Sequence, residues 1–271
     1  MKFDGILLCT DLDETLLRKD KSISEENKKA IEYFKENGGK FTFITGRTHV
    51  GVKPTLEAVK PNAPIGCLNG SSIYDHVKGE NLMEMELDKS AAEVIDLVLE
   101  KFPSMGIEVV THEHNYFCKR NFRTDEHQRL EFLPTYEGDY HSIEGKWAKV
   151  LLMDEKPVID ELIPYIDTLE PAKRFDFVRS TSHYYEILPP GASKGNLLMQ
   201  IAEILGIDKE KTVAVGDNEN DISMIKAAKA GYAVANATEI TKKAADFVTV
   251  SNMEHAIAKI IEDIQNKRGC L

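Results

Sequence analysis

Residues 6–15 read Ile-Leu-Leu-Cys-Thr-Asp-Leu-Asp-Glu-Thr, and this stretch joins an apolar run to an acidic loop. The four apolar residues at 6–9 are too few for a helix and show no apolar and polar alternation. They are typical of a strand that is buried on both faces of a parallel sheet. Asp11 and Asp13 then follow at the point where this strand is predicted to end.

The same rhythm of strand and helix continues through both ends of the chain. Strands are predicted at 6–9, 41–44, 65–68, 212–215, 232–235 and 247–250. Helices are predicted after the capping residue Ser24 and at about 55–59, 194–205, 220–228 and 253–267. Alternation of this kind predicts an α/β fold with a doubly wound parallel sheet, built from residues 1–86 and 189–271.

Residues 87–188 have a different pattern. A helix is predicted from Ser90, and hairpin-like strands are predicted at 107–111, 115–119, 148–153, 174–179 and 184–187. Paired strands mixed with helices indicate an α+β module inserted into the α/β chain. The segment Pro189-Pro190-Gly191 is the predicted return linker.

Polar side chains follow three of the predicted core strands. Asp11 and Asp13 follow the first, Thr45 follows the second, and Asp217 follows the run at 212–215. Because the carboxyl ends of parallel strands gather at one edge of a sheet, these residues are expected to meet there. Mg²⁺ prefers one or two carboxylates together with water and phosphate oxygens. The pattern therefore predicts a Mg²⁺ and phosphate site.

The two carboxylates of the first loop can divide the work of phosphoryl transfer. Asp11 can act as the ionised nucleophile, and Asp13 can give and take protons. Taken alone, their spacing is also that of an ordinary solvated acidic loop. Lys194, at the start of a predicted helix, can hold both Asp11 and a transferring phosphoryl group.

Two further segments supply candidate ligands. In Thr45-Gly46-Arg47, the hydroxyl and the unhindered backbone amide at Gly46 can bind a phosphate oxygen, and Arg47 is expected to form a salt bridge or touch the substrate. Residues 216–221 read Gly-Asp-Asn-Glu-Asn-Asp, more polar residues than a turn needs. There Asp217 can complete the metal site, and Asn220 can donate to phosphate. Asp221 can bind the metal directly, orient Lys194 or a water, or cap the next helix.

Composition limits the possible partners. The chain has 271 residues and a formal net charge of -11, which disfavours nucleic acid. No stretch approaches the roughly 18 apolar residues that span a bilayer, so no membrane partner is expected. The four cysteines show no CxxC spacing and indicate reduced thiols. Together with an N-terminus unlike a signal peptide, they predict a cytoplasmic protein.

These motifs together resemble a known superfamily. The pentapeptide at 11–15, Thr45, Lys194 and the pattern Gly216-Asp217-x-x-Asn220-Asp221 resemble the four ordered motifs of the haloacid dehalogenase superfamily. The Asn69-Gly70 turn, the large insertion and the segment 188–195 look like the Cof-like phosphatase branch with a large α+β cap. The resemblance covers nearly the whole chain.

The resemblance implies a Rossmann-like core with a mobile cap, and a Mg²⁺-dependent phosphatase. Asp11 resembles the nucleophile that becomes an aspartyl phosphate, and Asp13 resembles the acid/base. By the same resemblance the metal set is Asp11, Asp13 through its backbone carbonyl, and Asp217, and the phosphate-binding set is Thr45, Lys194 and Asn220. Glu14 departs from the glycine that is often found at its position.

Other functions remain open at this point. A phosphomutase or phosphotransferase would use the same Asp11 but shield its phosphoenzyme from water. A non-catalytic regulatory protein that binds a phosphorylated ligand is disfavoured by the acid/base beside the nucleophile. A dehalogenase needs no magnesium site. The expected substrate is a small phosphorylated metabolite, with hexose phosphates the first choice by resemblance. The sequence does not distinguish a monomer from a homodimer.

Overall fold

A computed structural model describes residues 2–131, 133–134 and 136–266 of the chain. The chain divides into two compact units. Glu84–Ala192 forms one unit, and the chain on both sides of it forms the other. The predicted domain division at 87–188, and the role of the middle unit as a cap, stay predictions.

The larger unit is built around a parallel five-stranded sheet with the order β14-β13-β12-β1-β2. Its strands are β1 (Leu7–Thr10), β2 (Lys40–Phe43), β12 (Thr212–Gly216), β13 (Ala230–Ala233) and β14 (Phe247–Val248). The strand β1 lies between β12 and β2, and Cys9 is paired with Ala214 on one side and Thr42 on the other. All four of its residues are buried, as the apolar run predicts.

A second, three-stranded sheet lies beside β2, the last strand of the five-stranded sheet. It contains β3 (Ile65–Cys67), β4 (Ser72–Asp75) and β5 (Glu80–Glu84) in that order. One parallel bridge between Ile44 and Gly66 brings β3 alongside the end of β2. The loops after β1, β2, β3 and β12 therefore emerge at the same edge.

Helices of the larger unit cover this framework. They are α1 (Glu25–Glu36), α2 (Lys53–Val59), α6 (Lys194–Ile204), α7 (Ile222–Ala227), α8 (Glu239–Ala244) and α9 (Ala256–Gln265). The Ser24 and Ser193 side chains accept hydrogen bonds from the backbone N–H groups of Asn27 and Asn196, which fixes the starts of α1 and α6. The second of these caps sets the position of Lys194. Sheet and helices together confirm the predicted α/β fold.

The middle unit is an α+β structure with a six-stranded sheet of order β10-β11-β9-β6-β7-β8. Its strands are β6 (Gly106–Thr111), β7 (Asn115–Lys119), β8 (Tyr136–Glu137), β9 (Trp147–Met153), β10 (Asp176–Thr181) and β11 (Tyr184–Leu188). Its helices are α3 (Ala91–Lys101), α4 (Phe122–Glu131) and α5 (Lys156–Ile166). One sheet face packs its apolar residues against α3 and α5.

Charged residues project from the other face of the same strands. Glu108 on β6 is fully buried and accepts hydrogen bonds from Asn115 and from a ring nitrogen of His127 on α4. Lys149 Nζ donates to Glu186 Oε2 at 2.8 Å. Buried charges are stable only when they are paired in this way. The polar network therefore fixes where α4 rests on the sheet.

The His127 and Glu108 pair should make stability depend on pH. Burial alone would lower the pKa of His127, but the charge and hydrogen bond of Glu108 raise it above its ordinary value, with Glu131 adding to the effect and Lys149 opposing it. Burial would raise the pKa of Glu108, and His127 lowers it below its ordinary value. A raised His pKa stabilises the fold at low pH and loses its effect as pH rises through the folded value. The lowered pKa of Glu108 stabilises the fold at pH values above the ordinary pKa of a glutamate. This stabilisation is lost as pH falls through the pKa of Glu108 in the folded state.

We expect His127→Gln to lower the melting temperature more near pH 6 than near pH 8.5, because the stabilising effect of the imidazolium is lost as pH rises through the raised pKa of His127. A pair worth about 1 kcal/mol would make the two penalties differ by roughly 2–4 °C. Circular dichroism melts at both pH values measure this. His141→Gln, at a histidine of the same unit whose pair with Asp96 is exposed to solvent, serves as the control and should show a much smaller difference. Equal penalties for His127→Gln at both pH values would contradict a charged pair.

No helix among the described residues is long and apolar enough to cross a bilayer. Cys9 and Cys67 are buried free thiols, and Cys118 is a partly buried one. Cys270 lies outside the described residues. Cytoplasmic residence stays a prediction.

Candidate active site

Asp11 lies at the carboxyl end of β1, where its backbone N–H donates to Val215 O at 2.9 Å. Its side chain is buried, and Oδ1 accepts a hydrogen bond from Lys194 Nζ at 2.5 Å. Burial, together with repulsion from Asp221 and Asp13, raises the pKa of Asp11 to about 7. The charge of Lys194 lowers this pKa but offsets only part of the increase. A nearby cation would favour the ionised carboxylate that a nucleophile requires.

Lys194 is the first residue of α6 and is only 1% exposed. Its Nζ donates to Asp11 Oδ1 at 2.5 Å and to Asp221 Oδ1 at 2.6 Å. Burial alone would lower the pKa of Lys194, but the two carboxylates raise it, so the ammonium stays charged at neutral pH. The sequence prediction that Asp221 orients Lys194 therefore describes the geometry of the structure.

The loop after β12 folds around the carboxylate of Asp221. Oδ2 of Asp221 accepts hydrogen bonds from the backbone N–H groups of Asp217 at 2.9 Å and Asn218 at 3.1 Å. A Cβ on Gly216 would lie 2.3 Å from the Asp221 Cβ, so only glycine allows this approach. The side chain of Asp217 is held separately, because its Oδ1 accepts a hydrogen bond from Thr15 Oγ1 at 2.9 Å.

One oxygen from each of Asp11, Asp217 and Asp221 lies within 4.8 Å of the other two. Burial raises the pKa of Asp217 to about 9, with further repulsion from Asp221 and Asp11. If all three were ionised, these carboxylates beside one lysine would carry an excess of negative charge, and carboxylate oxygens are ligands suited to a hard divalent cation that would offset it. The residues therefore fit such an ion. Both oxygens of Asp221 already accept hydrogen bonds, so Asp11 and Asp217 are the better-placed ligands, and a direct contact from Asp221 stays a prediction.

The side chain of Asp13 does not join this cluster. It forms two hydrogen bonds with Arg47, at 2.8 Å to Nε and 2.7 Å to Nη2, and a third with Lys21 Nζ at 2.6 Å. Burial would raise the pKa of Asp13, but Arg47 and Lys21 lower it to about 2. Asp13 is therefore ionised in this arrangement. The predicted metal contact through its backbone carbonyl, and its acid/base role, stay predictions.

The backbone of this loop shows why glycine is favoured at one position where the sequence departs from it. Glu14 has a φ of 57°, in the left-handed region that favours glycine. Its carbonyl oxygen accepts a hydrogen bond from Asn236 Nδ2 at 2.8 Å. The chain thus accepts a residue with a side chain at this turn.

The predicted phosphate ligands meet at the ends of β2, β3 and β12. Thr45 is buried, and its Oγ1 accepts a hydrogen bond from the Arg47 backbone N–H at 3.2 Å. Asn220 Nδ2 donates to Asn69 Oδ1 at 3.1 Å. A Cβ on Gly46 would lie 2.9 Å from Asn69 Nδ2, so the two loops are in close contact. The parallel bond from Ile44 N to Thr10 O places this group at the same sheet edge as Asp11.

Sequence reasoning did not assign roles to three residues near the site. Thr15 holds Asp217, Lys21 pairs with Asp13, and Asn69 contacts Asn220. Thr15 and Asn69 both belong to motifs that the sequence analysis had already singled out. Lys21 carries no such signal, because its contact with Asp13 arises only when the loop folds back.

The α/β fold, with aspartates at the carboxyl ends of its strands, is that of a known class of hydrolases. The model for haloacid dehalogenase-like hydrolases matches residues 8–261. The chain therefore belongs to this family. A haloacid dehalogenase-like hydrolase from Bacteroides thetaiotaomicron has a similar structure, with a TM-score of 0.81 and 26% identity over 96% of this chain and 99% of that chain.

Relatives of known class extend over the same length. Phosphatase YwpJ of Bacillus subtilis is 30% identical, covering 95% of this chain and 99% of YwpJ. The 5-amino-6-(5-phospho-D-ribitylamino)uracil phosphatase YwtE of the same organism is 29% identical, covering 95% of this chain and 97% of YwtE. Family and relatives together identify the chain as a phosphatase, as the sequence motifs predict.

Proposed function

We propose that this chain is a Mg²⁺-dependent phosphatase that hydrolyses a small phosphorylated metabolite through an aspartyl phosphate on Asp11. The observation that carries the proposal is the buried Asp11 carboxylate, 2.5 Å from Lys194 Nζ and clustered with Asp217 and Asp221. A buried carboxylate with a fixed cation beside it is suited to attack a phosphoryl group. When bound, Mg²⁺ supplies positive charge that offsets the charge on the phosphoryl oxygens.

In the first step, an Asp11 oxygen forms a bond to phosphorus in line with the bond to the leaving oxygen, which breaks. Lys194 remains charged and stabilises the equatorial oxygens. Asp13, in its protonated form, gives its proton to the leaving alcohol. Since Arg47 and Lys21 hold the pKa of Asp13 at about 2, Asp13 gains that proton only after it separates from them. The phosphate group is expected to draw these two cations away.

In the second step, Asp13 takes a proton from a water molecule that attacks phosphorus. The bond to the Asp11 oxygen breaks, inorganic phosphate leaves, and Asp11 returns to its carboxylate form. Thr45, Gly46, Arg47 and Asn220 are proposed to hold the phosphate oxygens through both steps. Each lies in a loop at the edge where Asp11 emerges.

The proposed substrates are sugar phosphates and similar compounds, with pyridoxal phosphate, flavin mononucleotide and nucleotides as further members of the class. The relative YwtE is a phosphatase of a phosphorylated ribityl compound, which supports a substrate of this kind. A phosphomutase or phosphotransferase on the same site is the second candidate, since it would use the same nucleophile. No observation among the described residues favours it over hydrolysis.

An assay with p-nitrophenyl phosphate tests this proposal. Phosphate release is expected with Mg²⁺, with loss of release in EDTA and recovery on adding Mg²⁺ back. A panel of phosphorylated metabolites would then identify the substrate. Release that needs a sugar acceptor would favour a phosphotransferase. Folded protein that releases no phosphate from any compound with Mg²⁺ present would overturn the proposal and favour a binding protein.

A further inference from the structure

Asn69 is a buried residue at the end of β3 and is only 2% exposed. It follows directly on Leu68, and both residues have left-handed backbone angles, with φ values of 57° for Leu68 and 54° for Asn69. Asparagine adopts this region more readily than most residues. The turn therefore carries an asparagine side chain from β3 toward the loops that follow β2 and β12.

Contacts of its side chain and its backbone fix the position of Asn69. Its Oδ1 accepts a hydrogen bond from Asn220 Nδ2 at 3.1 Å, and its backbone N–H donates to Thr45 O at 3.0 Å. Since the oxygen faces Asn220, the amide nitrogen faces the other way. That nitrogen would lie 2.9 Å from a Cβ on Gly46, so it stands over the glycine of the Thr45-Gly46-Arg47 turn.

The amide nitrogen of Asn69 is a buried donor with no acceptor among the residues that the structure describes. Buried donors are nearly always paired, because an unpaired one loses its hydrogen bonds to water without replacement. This nitrogen adjoins Gly46, and the oxygen of the same amide is bonded to Asn220. Gly46 and Asn220 are two of the proposed phosphate ligands. An acceptor supplied by a ligand at this edge would satisfy it.

We propose that Asn69 is a further phosphate-binding residue, whose Nδ2 donates to a phosphate oxygen of the substrate while its Oδ1 holds Asn220 in place. This inference rests on the proposed function, because it needs a phosphate at the same sheet edge. The donor is neutral and fixed in advance, so its contribution is to binding and orientation. Proton transfer stays with Asp13.

Two substitutions separate this role from a purely structural one. Asn69→Asp keeps the shape, the left-handed backbone and an oxygen for Asn220, but it replaces the donor by an oxygen that repels phosphate. Asn69→Gly keeps the backbone conformation and removes the whole amide. Both variants should fold, which thermal melts check. Asn266→Asp, at an exposed position after α9, controls for the added charge.

Calorimetric titration with inorganic phosphate in the presence of Mg²⁺ measures binding without needing turnover. We expect the dissociation constant to rise about tenfold in Asn69→Gly, because a hydrogen bond to a charged acceptor is lost. It should rise more in Asn69→Asp, because the new carboxylate also repels phosphate. Asn266→Asp should bind as the unchanged protein does. Unchanged phosphate affinity in both folded Asn69 variants would overturn the inference, while p-nitrophenyl phosphate hydrolysis by the unchanged chain would leave the proposed function standing. Failure of that hydrolysis in the unchanged chain would instead count against the proposed function.

Discussion

Asp11→Asn should lower the rate of phosphate release from p-nitrophenyl phosphate on the order of a thousandfold or more. An amide nitrogen or oxygen is a far weaker nucleophile than the carboxylate that lies 2.5 Å from Lys194 Nζ. The substitution keeps the shape of the side chain and removes one of three clustered carboxyl groups. Loss of activity should therefore come without loss of the fold. Steady-state rates at saturating substrate and Mg²⁺ measure the effect.

Asp20→Asn is the matched control for this prediction, since Asp20 is an exposed aspartate in the same unit whose side chain accepts hydrogen bonds from Ser22 in its own turn. Its rate should equal that of the unchanged chain. Thermal melts should show that Asp11→Asn is folded. Appreciable phosphatase activity in a purified Asp11→Asn protein, stable over time and free of reversion to aspartate, would rule out Asp11 as the nucleophile.

Lys194→Met should lower both the rate and the stability. Removing one preorganised charge from the developing phosphoryl charge typically costs about a hundredfold to a thousandfold in rate. Removing one partner of a buried ion pair typically costs about 3–5 kcal/mol, because the remaining charge is left unpaired. Here Asp11 and Asp221 would both lose the lysine that contacts them. Chemical denaturation and steady-state kinetics measure the two effects separately.

Lys259→Met provides the comparison, because Lys259 forms solvent-accessible pairs with Glu262 and Asp263 on α9. Exposed pairs contribute about 0–1 kcal/mol, so this variant should differ little from the unchanged chain. A Lys194→Met protein with full activity would show that this cation is not needed for the reaction. Full stability with low activity would show that the carboxylates find another partner.

Much of the fold was predictable because strong local patterns agree with the final structure. The continuous apolar run at 6–9 predicted β1 to within one residue, and the helix predicted at about 194–205 corresponds to α6. The hairpin of β4 and β5 was not predicted, since β5 is mostly exposed and has no apolar run. Helix α4 was missed because Phe122 and Leu130 are exposed and its contacts with the sheet are polar.

The candidate site was predictable for a related reason. Residues that follow parallel strands must gather at one edge, so Asp11 and Asp217 could be placed together from sequence order alone. Lys194 was assigned to the site from its position at the start of a predicted helix. Their partners could not be placed in this way. The pairing of Asp13 with Arg47, and the position of Asn69 over Gly46, depend on how the loops fold against each other. Sequence spacing carries no direct record of such contacts.

Trapping the covalent intermediate tests the central claim most directly. The chain is mixed with substrate and Mg²⁺, quenched in acid within the first turnover, and digested for peptide mass spectrometry. The account predicts a phosphoryl group on the peptide that contains Asp11, and none on the corresponding peptide of Asp11→Asn. Hydrolysis that proceeds through the first turnover with no phosphoryl group on Asp11, or with one on another residue, would contradict it.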